Sequence, residues 1–248
     1  MELDRSRLPR HVAVIMDGNG RWAARRGLSR LQGHRVGKES VRAIVETSRE
    51  IGIEYLSLFA FSTENWGRPP REVDGLMKLL RRYLASELDK MMKHEIRLRA
   101  IGNTRRLPPT VREALRSAIA ATKNNKKMTV VLAVSYSGRD EMVQTMRRLA
   151  RRVQRGELDP ACITDAVVED HLETAGIPDP DLLIRTSGEM RVSNFYLWQI
   201  AYSELYVTDT LWPDFREHEF REVLAYYQRR QRRFGRTGAQ IERLRVAN

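Results

Sequence analysis

The sequence predicts a single α/β domain with a mainly parallel central sheet flanked by helices. Five short apolar runs rich in β-branched residues are typical of buried strands, and longer stretches of helical periodicity separate them. Strands that alternate with helices favour a parallel sheet with right-handed crossovers. No repeat, linker or low-complexity segment divides the 248 residues. We therefore expect one domain over 1–248, with a short N-terminal lead and a flexible tail after about residue 236.

Each element follows from a local pattern. The strands are apolar runs bounded by polar or glycine-containing segments, and the helices carry apolar residues at spacings of three and four. Pro108 and Pro109 suit a helix start, and Pro178 with Pro180 marks the approach to a late strand. We predict strands over residues 11–16, 55–61, 96–101, 128–134 and 182–184, and helices over residues 38–52, 72–94, 109–123, 139–155, 164–175 and 217–232.

The composition is that of an ordinary globular protein with an excess of positive charge. Apolar residues make up 42% and charged residues 31% of the chain. The net charge of +12 favours an anionic partner, which is nucleic acid, an acidic membrane surface or a phosphorylated substrate. Cys162 is the only cysteine, which excludes an internal disulfide, and no apolar run reaches the length of a membrane span. We therefore expect a cytoplasmic protein.

The segment from His11 to Trp22 carries the most specific signal. A predicted strand ends at Asp17, and Gly18 and Gly20 follow at once, at the strand end where parallel α/β sheets bind ligands. Glycines can turn successive backbone N–H groups toward one anion, and a phosphate held beside Asp17 needs a bridging cation such as Mg²⁺. The alternative is that Asp-Gly-Asn-Gly is only a turn between a strand and a helix.

The same residues formally match the dinucleotide-binding pattern G-x-G-x-x-G/A, beginning at Gly18. That pattern requires an immediate helix, an early second strand and an acidic residue about 20 positions later. Here Gly27, Gly33 and Gly37 interrupt the next stretch, and the next strand starts only near Tyr55. The required geometry does not follow, so we expect no dinucleotide site.

Three polar segments follow three of the predicted strands, which places the segments together at one edge of the sheet. The first starts at Asp17 and continues into a basic stretch, the second follows Phe61, and the third follows Ile184. Arginine forks and serine hydroxyls in these segments suit phosphate oxygens, and two separated arginine clusters indicate two anionic groups. Each cluster taken alone is equally compatible with ordinary surface charge.

The sequence also lacks the motifs of several other chemistries. It contains no G-x-S-x-G elbow, no H-E-x-x-H pair, no C-x-x-C pair and no Walker loop. Phosphate-binding arginines with one or two carboxylates and no evident nucleophile favour a reaction driven by departure of diphosphate, assisted by Mg²⁺.

Five motifs, taken in their order along the chain, resemble those of the cis-prenyltransferase family: HVAVIMDGNGRWA, GHR, FAFSTENWGRP, RVSNFYLWQIAYSELY and LWPDF. The resemblance runs from about residue 10 to about residue 235. It implies an apolar tunnel in the α/β domain and a Mg²⁺-dependent enzyme that condenses isopentenyl diphosphate onto an allylic diphosphate. Farnesyl diphosphate would be the primer, and the product would be a medium or long polyprenyl diphosphate such as undecaprenyl diphosphate.

The resemblance also implies roles for individual residues. Asp17 would hold Mg²⁺ on the allylic diphosphate, and Glu204 would share the ion. Asn65 would lie near the reacting carbons, where the family places a residue linked to proton removal, while Phe61 and Trp66 would line the cavity. Gly18, Asn19, Gly20, Arg21, Arg30, His34 and Arg68 would bind the allylic diphosphate, Arg185, Arg191 and Ser193 would bind isopentenyl diphosphate, and Trp22 and Ser62 complete the substrate-binding set.

Several of these residues also have a simpler interpretation. Glu204 could be an exposed strand residue, and His34 a helix-surface residue, although a pKa near neutrality would let it pair with diphosphate. Asn65 could cap the following helix, and Trp66 could belong to the core. A helical stripe predicts either core packing or the wall of the tunnel, and it consists of Val73, Leu76, Met77, Leu80, Tyr83, Leu84, Leu88, Met91 and Met92.

The chain departs from the family pattern near the third polar segment. Ser135 and Ser137 stand in a segment that the family usually writes N-Y-G-G-R, and Ser187 and Met190 stand in one commonly written T-G-G-E-H. An R-x-G element at residues 233–235 resembles one that reaches the partner subunit, which implies a homodimer. The polyprenyl product implies peripheral membrane contact, and no specific nucleic acid is expected. The alternative to an enzyme is a non-catalytic basic protein on the same fold that binds nucleic acid or acidic membranes.

Overall fold

The computed structural model describes residues 3–230. Within that range the chain forms six strands and seven α-helices. The strands are β1 His11–Ile15, β2 Tyr55–Ser62, β3 Ile96–Ile101, β4 Met128–Tyr136, β5 Leu182–Thr186 and β6 Glu204–Thr208. The helices are α1 Asn19–Ala24, α2 Arg30–Ile51, α3 Pro70–Lys93, α4 Pro109–Thr122, α5 Gly138–Gln154, α6 Asp165–Glu169 and α7 Glu217–Arg229.

The six strands form one parallel sheet in the order β3-β4-β2-β1-β5-β6. This confirms the predicted fold class and the five predicted strands. Strand β1 lies between β2 and β5, so the chain leaves the carboxyl ends of these three strands next to one another. Such a point, where the strand order reverses, is where open α/β sheets bind ligands.

The central strands are buried on both faces, as their continuous apolar sequences predict. Every residue of β1 is buried. Val12 and Val14 pack into the core on the side of α2 and α3, and Ala13 and Ile15 pack into a second core on the other face. The sheet is therefore covered by helices and loops on both sides.

Helix α2 begins at Arg30, eight residues before the predicted start at residue 38. Ser29 and Gln32 form a capping box that fixes this start. The glycines that suggested a loop instead permit close helix packing: a Cβ atom at Gly33 would lie 2.1 Å from the Asn19 carbonyl oxygen. Helix α1 follows Gly18 at once and packs against α2 at this point.

Two further differences concern the second half of the chain. Only Asp165–Glu169 is α-helical within the predicted helix 164–175. Strand β6 was not among the predicted strands, although an exposed strand was the simpler interpretation of Glu204. The R-x-G element and the tail after about residue 236 lie outside the described residues. In the described part of the chain, no helix has both the length and the apolar character needed to cross a bilayer.

Candidate active site

The three polar segments lie side by side, as the sequence predicts, because they follow the adjacent strands β1, β2 and β5. The first segment turns sharply at Gly18, whose φ of 105° is unfavourable for any residue with a side chain. Gly18 donates its backbone N–H to Asp17 Oδ1 at 2.7 Å. The first turn of α1 then leaves the N–H groups of residues 19–21 without helical acceptors. These groups are suited to bind an anion.

We call the first group of charges the strand cluster, because it joins the ends of β1 and β5. Arg185 donates to Asp17 Oδ2 at 2.8 Å, and Arg21 lies 3.4 Å from the same oxygen. Glu189 pairs with Arg21 at 3.0 Å and with Arg191 at 2.5 Å. The strand cluster therefore consists of Asp17, Arg21, Arg185, Glu189 and Arg191.

The Arg185 guanidinium is the buried centre of the strand cluster. Its side chain is only 6% exposed, and its second terminal nitrogen donates to Ser193 Oγ at 2.6 Å and to the Arg191 carbonyl oxygen. Burial opposes ionisation of Asp17, but the hydrogen bond and charge of Arg185 outweigh it and hold the pKa of Asp17 below its usual value. Asp17 is therefore an anion at neutral pH, and Arg185 holds it in place.

We call the second group the helix cluster, because it joins the starts of α2 and α3. The Glu72 side chain is 13% exposed and pairs with Arg68 at 3.1 Å and with Arg30 at 3.6 Å. His34 lies one turn after Arg30 on α2 and interacts electrostatically with both arginines. Arg30 also reaches the first polar segment, because its Nε would lie 3.2 Å from a Cβ atom at Gly20. The helix cluster therefore consists of Arg30, His34, Arg68 and Glu72, and the structure brings the first three close together.

The charge state of His34 differs from the expectation of a pKa near neutrality. Burial, followed by the charges of Arg68 and Arg30, lowers the pKa of His34 to about 4. The imidazole is therefore neutral at pH 7 when no anion lies between the two arginines.

A cavity of about 420 Å³ opens beside the helix cluster and runs between α2, α3 and the sheet. His34 and Asn19 line its end near the site, while Ala60, Phe61 and Leu80 are among the residues that line its wall. A smaller space of about 50 Å³ shares Leu58, Tyr83 and Leu132 with it. The smaller space continues along the same helices, past Leu84 and Met91. The structure therefore contains a mainly apolar cavity in the α/β domain, for which the family resemblance implied a tunnel.

The predicted helical stripe divides between this cavity and the core. Leu76, Met77, Leu80 and Tyr83 line the larger space. Val73 and Leu88 instead pack against the core. Met92 belongs to neither, because its side chain is 44% exposed.

Three predicted site residues have mainly structural contacts. Trp22 is buried, donates its indole N–H to Asp214 at 2.7 Å and is not among the described residues that line the cavity. Trp66 packs edge-on against Phe61 and likewise lies behind the wall in the described structure. Asn65 accepts the backbone N–H of Ser62 at 3.1 Å, so it caps its own turn, Thr63–Gly67, rather than the following helix. Ser62 precedes that turn as its N-cap.

Glu204 lies at the opposite edge of the sheet from Asp17. It pairs in register with Leu182, whereas Ile15, two residues before Asp17, pairs with Arg185. The offset is three strand residues, or roughly 10 Å, before the extra distance to Asp17 is added. The Glu204 carboxylate accepts a hydrogen bond from Arg230 at 3.1 Å. Asp17 and Glu204 of one chain therefore do not share an ion, and that expectation was wrong within a single subunit.

The Asp17 carboxylate has one lone-pair position left with which to bind a cation. A carboxylate offers about four lone-pair positions, and Gly18, Arg185 and Arg21 approach three of them. In residues 3–230 there is no group of three or more histidine, cysteine or acidic side chains that could hold a metal ion alone. The donor set fits Mg²⁺, which commonly takes one or two carboxylates and completes its octahedron with phosphate oxygens and water.

Three functional residues were not predicted from the sequence. Glu72 and Glu189 hold the arginines of the two clusters. Asn194 connects two polar segments, because its amide donates to Glu64 at 2.9 Å and to Ser137 at 2.7 Å. The only sequence signals were spacings: Glu72 stands four residues after Arg68, and Glu189 stands two before Arg191.

Known proteins resemble this chain over nearly its whole length. A family profile described as putative undecaprenyl diphosphate synthase matches residues 15–235. The isoprenyl transferase of Geobacter sulfurreducens is 51% identical over 235 residues, which cover 95% of this chain and 96% of that protein. The isoprenyl transferase of Chlorobaculum tepidum is 50% identical over 235 residues, covering 95% and 89% of the two chains.

Two solved structures share the fold. A lavandulyl diphosphate synthase from Lavandula x intermedia, in complex with dimethylallyl diphosphate, is 39% identical with a TM-score of 0.91 and covers 93% of this chain and 99% of its own. A probable undecaprenyl diphosphate synthase from Campylobacter jejuni is 35% identical with a TM-score of 0.76, covering 95% and 100%. This chain therefore belongs to the undecaprenyl diphosphate synthase family of prenyltransferases.

Proposed function

We propose that the protein elongates an allylic diphosphate primer, with farnesyl diphosphate as the preferred one, by successive cis condensations with isopentenyl diphosphate. The observation that carries the proposal is the arrangement of an anion-binding loop at the mouth of an apolar cavity. Asn19 and His34 belong both to the cavity wall and to the surroundings of that loop. A substrate with a diphosphate head and a long hydrocarbon tail fits this arrangement, and a product of medium or long chain extends into the same cavity.

The two clusters would bind the two diphosphates on either side of the loop at residues 18–21. The helix cluster and the loop would hold the allylic diphosphate, and Arg185, Arg191 and Ser193 would hold isopentenyl diphosphate. Fixing both substrates places the isopentenyl double bond against the allylic carbon. The allylic carbon–oxygen bond breaks with its electron pair on the diphosphate, the double bond forms the new carbon–carbon bond, and a proton leaves the isopentenyl unit. Asn65, at the end of β2, would help position that unit.

Asp17 is the residue proposed to hold Mg²⁺ on the allylic diphosphate. The ion supplies charge stabilisation for the departing diphosphate. Asp17 supports this role because Arg185 and Gly18 fix its orientation and its depressed pKa keeps it ionised.

The direct test incubates the protein with labelled isopentenyl diphosphate, farnesyl diphosphate and Mg²⁺, and resolves the extracted products by chain length. Discrete polyprenyl products that depend on Mg²⁺ support the proposal. No elongation with farnesyl diphosphate, or with shorter and longer primers, would refute it and favour the non-catalytic binding protein. The enzyme-named relatives and the two arginine clusters make that alternative the weaker one.

The cavity has its own test. Ala60 lines the wall beside a register shift in β2, so a larger side chain there would narrow the space. We expect Ala60→Leu to shorten the products, and Ala150→Leu on the exposed surface of α5 to leave their length unchanged. Unaltered products from Ala60→Leu would show that the growing chain does not occupy this cavity.

We also propose a homodimer formed through the face of β6. Within the described residues β6 pairs only with β5 and exposes Leu205 at 56% and Val207 at 36%, with Tyr202 at 72% just before it. Exposed apolar side chains on an edge strand mark an association surface. A second copy would cover this surface, and only across such a dimer could Glu204 contribute to a metal site.

Sedimentation velocity tests the dimer. We expect Leu205→Arg to convert a dimer into a monomer, and Met92→Arg, at a 44% exposed methionine of α3, to leave the dimer intact. A monomeric wild type, or a dimer that survives Leu205→Arg, would contradict this interface.

The proposed function also includes a cytoplasmic location and membrane contact through the product. It does not include binding of a specific nucleic acid.

A further inference from the structure

Six residues other than glycine have a positive φ within residues 3–230, a conformation that side chains make unfavourable. Three of the six are serines, with φ values of 52°, 78° and 47° at Ser135, Ser187 and Ser193. Ser187 and Ser193 belong to the third polar segment of the candidate active site, and Ser135 lies near the end of β4. Unfavourable backbone conformations concentrated at a site are informative, because the fold must hold them against their cost. In each case the hydroxyl accepts a hydrogen bond from another side chain: Trp66 donates to Ser135 at 2.9 Å, Arg21 to Ser187 at 2.5 Å and Arg185 to Ser193 at 2.6 Å.

The surrounding chain fixes the conformation of Ser187. It directly follows β5 and is 6% exposed. Its N–H donates to the Thr210 carbonyl at 2.9 Å, and that of Gly188 donates to the Thr208 carbonyl at 2.8 Å. A Cβ atom at Gly18 would lie only 3.0 Å from the Ser187 Cβ, so the two segments are in close contact. The direction of the Ser187 side chain is therefore set by its backbone.

That direction brings the hydroxyl to Arg21. The Arg21 side chain is 44% exposed, so little packing restrains it. Its guanidinium lies 3.0 Å from Glu189 on one side and 3.4 Å from Asp17 on the other. The Ser187 hydroxyl is a third acceptor, and it is buried. It therefore favours this position of the Arg21 guanidinium.

We propose that Ser187 is a positioning residue that holds Arg21 toward the allylic diphosphate. Glycine adopts a φ of 78° without strain, so the hydroxyl is what serine adds at this position. The proposal rests on the proposed function, because it takes Arg21 as a ligand of the allylic diphosphate. It extends that function by naming a residue that acts through Arg21 without contacting substrate.

Two variants separate the hydroxyl from the backbone strain. Ser187→Gly removes both, and Ser187→Ala removes the hydroxyl but keeps a side chain in the left-handed conformation. Glu95→Gly is the control, because Glu95 has a φ of 52° but lies between α3 and β3, with an exposed ion pair to Lys127. Calorimetric titration with farnesyl diphosphate and with isopentenyl diphosphate, each alone so that no turnover occurs, gives the two dissociation constants, and thermal unfolding reports stability.

We expect both Ser187 variants to bind farnesyl diphosphate about tenfold more weakly, the effect of losing one hydrogen bond to a charged group. Binding of isopentenyl diphosphate should change less. Ser187→Gly should unfold at or above the wild-type temperature and Ser187→Ala below Ser187→Gly, while Glu95→Gly binds as the wild type does. Wild-type affinity in both Ser187 variants, or weakened binding only in Ser187→Ala, would overturn the inference and leave the proposed function standing. A wild-type protein that binds no farnesyl diphosphate would overturn both.

Discussion

The strand cluster and the helix cluster use the same charges in opposite arrangements. In the strand cluster the cation is inside: Arg185 is 6% exposed and is surrounded by its acceptors. In the helix cluster the anion is inside: Glu72 is 13% exposed, while Arg30 is 63% and Arg68 30% exposed. A guanidinium held by several acceptors is fixed before the substrate arrives, whereas exposed arginines around one carboxylate can turn toward a ligand. We therefore infer a rigid site on the strands and an adaptable one on the helices.

The largest effect should come from Asp17, the carboxylate of the rigid cluster. Asp17→Asn keeps the shape of the side chain but removes the charge that Arg185 and the metal require. We expect the elongation rate to fall by about 10²–10³-fold, the usual loss for a group that stabilises transition-state charge. Steady-state kinetics measure this loss, and circular dichroism should show an unchanged fold. A loss below tenfold would contradict the central place given to Asp17.

A matched pair of conservative substitutions compares the two clusters directly. Lysine cannot reproduce the fork with which Arg185 contacts Asp17, Ser193 and the Arg191 carbonyl. We expect Arg185→Lys to lower kcat/KM for isopentenyl diphosphate by about 10- to 100-fold. Arg30→Lys should lower kcat/KM for the primer by about fivefold or less, because exposed ion pairs contribute little. Equal effects at the two positions would remove the distinction between rigid and adaptable clusters.

The fold could be predicted from the sequence more completely than the site. The apolar run at Val12–Ile15 and the similar runs of the other predicted strands indicate burial. A strand buried on both faces shows no alternation of polar and apolar residues. The start of α2 could not be predicted because Gly33 and Gly37 are compatible with a loop or with close helix packing. Only the contact with Asn19 on α1 shows that they permit close packing. Edge strand β6 could not be predicted because one of its faces is exposed in the described structure, so it lacks the continuous apolar sequence of a buried strand.

The site could be predicted where a residue's role follows from its position at a strand end, as for Asp17 and Arg185. Roles that depend on long-range contacts could not. Glu72 and Glu189 appear as ordinary charged residues until the fold brings arginines to them. Glu204 was paired with Asp17 by resemblance, yet register places it at the other edge of the sheet. No local sequence pattern distinguishes these glutamates from ordinary surface glutamates.

His34 provides a pH-dependent measure of the adaptable cluster. Its pKa of about 4 reflects burial and two neighbouring arginines without an anion between them. A diphosphate placed there offsets the arginine charges and raises the pKa of His34, so binding at pH 6 should take up a fraction of a proton. Calorimetry in buffers of different ionisation enthalpy measures this uptake. His34→Gln should abolish the His34 contribution, and identical uptake in the variant would place the diphosphate elsewhere.

The smallest effect should come from Glu72. Glu72→Gln removes the carboxylate that holds Arg30 and Arg68 but keeps the side-chain volume. Because both arginines then lose a competing anion, we expect the primer to bind about two- to fivefold more tightly, within the range of a partly exposed ion pair. Weaker binding would show that Glu72 positions the arginines, which would make this cluster as rigid as the other.

The most direct test of the account is a crystal structure of the protein with isopentenyl diphosphate and a farnesyl diphosphate analogue that has sulfur at the bridging position and does not ionise. We expect one diphosphate against Arg185 and Ser193, with the buried Arg185 side chain and its partner Asp17 unmoved. The other should lie against the loop at residues 18–21, with Arg30 and Arg68 turned toward it and the farnesyl chain in the cavity lined by Ala60 and Leu80. Both diphosphates on one cluster, or a hydrocarbon chain outside the cavity, would contradict the account.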